Sequence, residues 1–183
     1  KEDFLERPVE ISIWTIDRIF QTFTSNSSEI IRIDTKDFGC DGIQCLKADL
    51  GSETEYDAYL GIVPGRFLAE IYLKFGSKLL QGNVRAFLSI RGKVNRGIRE
   101  TIMNKPSNFF TYNNGIAIVA RSVGFSSEGK IVHFTDPQII NGGQTTASLA
   151  NAIIKKEDKN GMDTLFVPMK LTVLNVEDEM SEE

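Results

Sequence analysis

The sequence predicts a single mixed α/β (α+β) domain, built from a mixed sheet and several packed helices. Three observations predict it. Short stretches of period-two alternation recur along the chain, longer stretches repeat apolar residues at intervals of three and four, and glycine, proline or asparagine separates them. With 183 residues, 41% hydrophobic and 25% charged, the chain can bury one core but hardly two.

Taken in order, Val9-Glu10-Ile11-Ser12-Ile13-Trp14 alternates as a half-buried strand, and Ile16, Ile19, Phe20 and Phe23 then follow with helical spacing. Asn26-Ser27-Ser28 breaks the chain before a strand over Glu29 to Thr35, centred on Ile31 and Ile33. From Phe38 to Tyr56 the pattern is irregular. Gly39, Gly42 and Gly51 mark turns there, and Ile43, Cys45 and Leu46 are the candidates for packing. Tyr59 to Val63 is a strand, Pro64-Gly65 a turn, and Phe67, Leu68, Ile71, Tyr72 and Phe75 the buried side of a helix that Gly76 ends. A second helix fits Leu79 to Leu88, and a third runs from Lys93 to Met103 before Pro106 bars continuation. Ile116 to Phe125 and Lys130 to Phe134 read as a hairpin across the turn Ser126 to Gly129. Pro137 interrupts the second arm, leaving Gln138-Ile139-Ile140 as a short buried strand. Asn141-Gly142-Gly143 is a tight turn into a helix capped by Thr145 or Thr146, with Leu149, Ala150, Ile153 and Ile154 as its apolar side and Gly161 closing the unit. Leu165 to Val176 is the last strand.

No stretch approaches the length of apolar sequence that spans a bilayer, and no basic-then-apolar leader is present, so the chain reads as cytoplasmic with no membrane partner. Two cysteines, Cys40 and Cys45, make no disulfide framework and read as reduced thiols. With one histidine, His133, a zinc cluster has no recognisable spacing and no metal is expected. The net charge of -4 conceals an asymmetry: between residues 71 and 99 stand Lys74, Lys78, Arg85, Arg91, Lys93, Arg96 and Arg99 with no acidic residue. Glu177, Asp178, Glu179, Glu182 and Glu183 give the end the opposite sign. A strand pattern running directly into this acidic segment reads as part of a longer protein.

Two constellations carry chemistry. In Asn141-Gly142-Gly143-Gln144-Thr145-Thr146, glycines permit tight backbone geometry, and the free amides of the following helix start suit an oxyanion; an ordinary glycine turn is the alternative. No lysine follows the glycines, so this is not the nucleotide-binding P-loop. In Tyr112-Asn113-Asn114-Gly115, paired asparagines offer donors and acceptors for a base edge, or close an Asx turn. Asn95 and Arg99, four apart on one helix, and Arg85 upstream supply candidate phosphate ligands, against the alternative of a solvated face. Phe109 and Phe110 read as core, whereas Tyr112 is the candidate for base stacking. His133 in an alternating strand reads as structural, and no catalytic residue or cofactor is assigned.

The chain resembles the AIPR family, named for abortive infection phage resistance. The resemblance is carried by Val63-Pro64-Gly65, Leu68-Ala69-Glu70-Ile71-Tyr72, Asn83-Val84-Arg85, Val94-Asn95, Pro106, Phe109, Tyr112-Asn113-Asn114-Gly115 and Ile139-Ile140-Asn141-Gly142-Gly143-Gln144-Thr145-Thr146. It divides the chain into an N-terminal part (1–57), an AIPR-like core (58–176) and an acidic end (177–183). The glycine segment is also loosely similar to the Asp-Gly-Gln-His-Arg motif of ParB-like and DNA-modification-associated proteins. Thr145 and Thr146 stand where that motif has its His-Arg pair, so the likeness carries a phosphate-binding corner rather than a nuclease role.

The resemblance implies bacterial antiviral defence without defining a reaction. Joined to the residue chemistry, it leads to the expectation of a module binding DNA, RNA or a nucleotide, with Arg85, Asn95, Arg99, Asn113, Asn114, Gln144, Thr145 and Thr146 as ligand-binding residues. The alternatives are a metal-dependent nuclease or nucleic-acid-modifying enzyme, and a sensor module that binds a phage or host protein. Oligomeric state is not legible.

Overall fold

The computed structural model of the chain describes residues 30–51, 54–80, 93–155 and 161–174, with side chains from residue 97 onward in the third segment. The strand and helix expected over 9–23 lie outside the described residues, as do Arg85 and most of the helix expected over 79–88.

The elements, in chain order, are β1 (Arg32–Asp34), β2 (Gln44–Lys47), β3 (Asp57–Pro64), α1 (Gly65–Phe75), α2 (Lys93–Asn104), the short α3 (Phe109–Tyr112), β4 (Ile116–Ala120), β5 (Ser122–Phe125), β6 (Ile131–Thr135), β7 (Gln138–Asn141), α4 (Gly143–Ile154) and β8 (Phe166–Val173). They form two sheets where the sequence suggests one. A five-stranded sheet runs β2-β3-β8-β4-β7, and a three-stranded sheet runs β1-β6-β5. Every pair is antiparallel except β4 with β8, so the larger sheet is mixed.

One long hairpin joins the two sheets. Only Arg121 separates β4 from β5, and only Asp136-Pro137 separates β6 from β7. The pair β4/β7 belongs to the large sheet and β5/β6 to the small one. Pro137 has no N–H for a ladder, so the arm changes sheets where pairing would fail. Asp136 adopts a left-handed φ of 48°, and its N–H donates to the Ile31 carbonyl at 2.6 Å. A bridge between Ile43 and Ile131 ties the sheets together a second time, with N–H to carbonyl distances of 2.8 and 2.9 Å.

α1 and α4 pack side by side, and α2 packs on α4. Phe67, Leu68, Ala69 and Ile71 of α1, Ile98 and Ile102 of α2, and Leu149, Ala150 and Ala152 of α4 are all buried. They share one core with Tyr59 and Val63 of β3, Ile116 and Ile118 of β4, and Val167, Met169, Leu171 and Val173 of β8. Two expectations need correction. Leu46 is 71% exposed, because β2 is an edge strand and Leu46 points away from the core. The start of the expected second helix is a tight 3₁₀ turn, Gly76–Leu80, that buries Leu79 and Leu80.

Candidate phosphate-binding edge

The pairing register brings separated motifs to one edge of the large sheet. β7 runs antiparallel to β4 with Asn141 opposite Ala117, so the end of β7 lies beside the start of β4. β8 runs parallel to β4 and starts at the same edge, and β3, antiparallel to β8, ends there. The edge thus carries Asn113-Asn114-Gly115 before β4, Gly142-Gly143 after β7, and Pro64, the last residue of β3, with Gly65 after it. Both α1 and α4 begin from it.

Two glycines make the closest approach possible. Gly142 has a φ of +88°, and a Cβ there would lie 2.5 Å from Cγ2 of Ile116 and 2.9 Å from the Gly115 carbonyl oxygen. Gly115 has a φ of +78°, and a Cβ there would collide with the Pro168 carbonyl oxygen. Segments distant in sequence therefore meet backbone to backbone, as only glycine permits.

This geometry sets the electrostatics of the helix start. Gly142 is the N-cap of α4 and provides no side-chain acceptor, and no acidic residue stands in the first turn. The first amides of a helix have no acceptor within it, and they form the positive end of its dipole. α1 repeats the pattern, with Pro64 as N-cap, no side-chain cap and no acidic residue in its first turn. At the same edge Arg66 pairs with Asp163 at 2.6 Å. No sequence pattern singles out this pair, although Arg66 follows Val63-Pro64-Gly65 directly.

The threonines take a different place from the one expected. Neither caps α4: both lie inside the helix and are buried. The Thr146 hydroxyl donates to the Gly142 carbonyl at 3.2 Å, and the Thr146 N–H donates to the same oxygen at 3.0 Å, so this residue holds the helix start to the strand end. Gln144, Asn141 and Asn114 are exposed. The Asn113 side-chain amide donates to the Phe109 carbonyl at 3.2 Å and closes α3. Phe109 is fully buried, as expected, whereas Phe110 is 40% and Tyr112 63% exposed. The Asn108 amide donates to the Tyr112 hydroxyl at 3.3 Å. Arg99 is exposed on α2, and Asn95 lies one turn earlier on the same helix. Asn113, Asn114, Gln144, Thr145 and Thr146 thus occupy adjoining segments.

Other titratable groups lie elsewhere in the fold. His133 is exposed on β6, with Nδ1 3.5 Å from Oδ2 of its cross-strand partner Asp34. Burial pushes the Cys40 thiol up from its ordinary value, with the Asp41 charge adding to the rise, and burial also raises Cys45. Neither has the lowered pKa of a nucleophilic cysteine. Among the described residues, no group of three or more His, Cys, Asp or Glu side chains is placed to hold a metal ion. No described helix is long and apolar enough to cross a membrane.

The family model described as AIPR protein matches residues 80–183, a span that includes both the Tyr112-Asn113-Asn114-Gly115 segment and the glycine turn from Asn141 to Thr146. No curated protein and no solved structure matches the chain. With more than half of its length matched, the chain belongs to the AIPR family, named for abortive infection phage resistance.

Proposed function

We propose that this chain is a phosphate-recognising module of an antiviral defence protein and that it binds nucleic acid or a nucleotide at the edge shared by β4, β7 and α4. The observation that carries the reading is the glycine-enforced contact between Gly142 and the Gly115-Ile116 backbone, beside a helix start with no side-chain cap and no carboxylate in its first turn. Amides and a helix dipole in that arrangement suit an oxyanion. Gln144 and Asn114 are exposed at the rim and supply directional hydrogen bonds. Arg85 and Arg99, from the basic stretch of the sequence, neutralise phosphate charge in this reading, and the uncharged Asn95 amide supplies a hydrogen bond. Thr146 and Asn113 hold the corner, and Thr145 lines it.

The test is fluorescence anisotropy of labelled single- and double-stranded DNA, RNA and a nucleotide panel, titrated with the chain at several salt concentrations. A contact with two or three phosphates weakens roughly ten- to fortyfold between 50 and 200 mM salt. Gln144→Ala combined with Asn114→Ala should weaken binding further. Absence of saturable binding by the folded chain, or an affinity untouched by the double variant, would sink the reading.

A further inference from the structure

Tyr112 stands at the end of α3, where the chain turns toward the start of β4. Its ring is 63% exposed, whereas Phe109, three residues earlier, is fully buried and fixes α3 to the body of the domain. The turn that carries the ring is held from several sides. Thr111 Oγ1 donates to the Asn108 carbonyl at 3.0 Å, and the Asn113 N–H and side-chain amide both donate to the Phe109 carbonyl. The Tyr112 hydroxyl accepts from the Asn108 side chain at 3.3 Å, which holds the phenol in place and leaves the ring as its main open surface. A lone exposed aromatic needs no explanation. One already ordered beside a binding edge is different, because it loses little side-chain freedom when a second ring stacks on it.

We infer that Tyr112 is a stacking platform for an unpaired nucleobase of a ligand whose phosphate sits at the glycine corner, an inference that rests on the phosphate reading of that corner. Reach supports it. Asn113 is extended, and Tyr112 to Gly115 spans at most about 11 Å between Cα atoms. That is about three nucleotide steps at roughly 3.4 Å each. Gly115 itself meets the corner, since a Cβ on Gly142 would lie 2.9 Å from its carbonyl oxygen. Polarity agrees: Asn114, two residues beyond Tyr112, is exposed and offers a donor and an acceptor to a base edge. Charge agrees too. α2 packs against α3 and carries the exposed Arg99, Lys105 is exposed at the start of the turn, and Glu100 is the only acidic residue between positions 71 and 127. In a duplex the base faces are already stacked on one another, so such a platform selects unpaired bases. A mononucleotide and a single strand share that chemistry.

The experiment is calorimetric titration of the full chain, at one salt concentration, with inorganic pyrophosphate, a mononucleotide, a short single-stranded oligonucleotide, its abasic counterpart and its duplex. The single strand should bind at least about fivefold tighter than the abasic strand and than the duplex. Tyr112→Ala should weaken the base-bearing single strand about five- to a hundredfold while leaving pyrophosphate within about twofold, and Tyr112→Phe, which keeps the ring, should keep the affinity. Tyr112→Leu carries the same comparison if Tyr112→Ala does not fold. Of the mononucleotide and the single strand, the one that Tyr112→Ala weakens more is the source of the base. Equal binding of base-bearing and abasic strands, or a duplex bound more tightly than the single strand, overturns the inference and leaves phosphate binding standing. A loss in Tyr112→Ala that pyrophosphate shares also overturns it and marks the ring as structural. Failure of pyrophosphate and of every strand to bind removes the phosphate reading itself, and the stacking inference with it.

Discussion

Replacing Gly142 with alanine isolates the contact on which the edge depends. Two costs add. A left-handed φ of +88° strains any L side chain by about 1–2 kcal/mol. The added Cβ would also lie 2.5 Å from an Ile116 methyl carbon and 2.9 Å from the Gly115 carbonyl, and overlap of this kind costs about 1–3 kcal/mol. Backbone cannot swing aside as a side-chain tip can, so the two should sum to about 2–5 kcal/mol, a large share of the 5–15 kcal/mol that ordinarily separates folded from unfolded chains. Gly129→Ala is the matched control, because Gly129 has a φ of +75° with nothing within 4 Å of its Cβ position. It should show the strain alone, about 1–2 kcal/mol. Urea unfolding followed by circular dichroism separates them: with a slope of about 2 kcal/mol per molar, Gly142→Ala lowers the midpoint by about 1–2.5 M and the control by less than about 1 M. Equal midpoints for the two variants would refute the close approach.

Asp136 makes stability depend on pH. Burial lifts its carboxyl above the ordinary value of 3.8, against the opposing pull of the Arg121 charge and the hydrogen bonds from Gln138 and the backbone. The folded state then holds the proton more tightly than the unfolded one, so stability is highest below that ordinary value and falls as pH rises through the raised one. Asp136→Asn tolerates the left-handed φ and should be more stable relative to wild type at pH 7 than at pH 3.5, as measured by urea midpoints; a difference that does not change with pH contradicts this. Phe109→Ala, which empties a fully buried site beneath α3, should cost about 3–5 kcal/mol and show as a clear drop in thermal midpoint. Cys40 and Cys45, both raised by burial, should react with a disulfide reagent at pH 7 more slowly than a free thiol, Cys40 slowest, and at equal rates after denaturation; fast labelling of the native chain would count against the described packing.

Local pattern made much of the fold legible. Pro137 marks the break between β6 and β7, Pro106 follows the end of α2, and the helix after Pro64-Gly65 ends at Gly76 as its spacing implies. The second sheet was not legible, because β4 and β5 form one alternating run and nothing local shows that the strands change partners at Arg121. The exposure of Leu46 was hidden for the same reason: whether β2 is an edge strand depends on pairing with β3, not on its own residues. The glycine turn was visible as a motif, yet its cap was misassigned. A threonine near a helix start can cap or bond back to a carbonyl, and the left-handed Gly142 decides in favour of the second. That Asn113-Asn114-Gly115 and Gly142-Gly143 touch follows from the antiparallel pairing of β4 with β7, a relation between segments that neither contains alone.

The central claim concerns the amides at the start of α4, and the most direct measurement is a two-dimensional amide spectrum of the ¹⁵N-labelled chain titrated with inorganic pyrophosphate, then with a nucleotide and a short single-stranded oligonucleotide. The phosphate-binding account predicts saturable shifts concentrated at Gly143, Gln144 and Thr145, with smaller ones at Asn114 and Gly115, all weakening as salt rises. Saturating ligand that leaves these amides in place while moving others would contradict it.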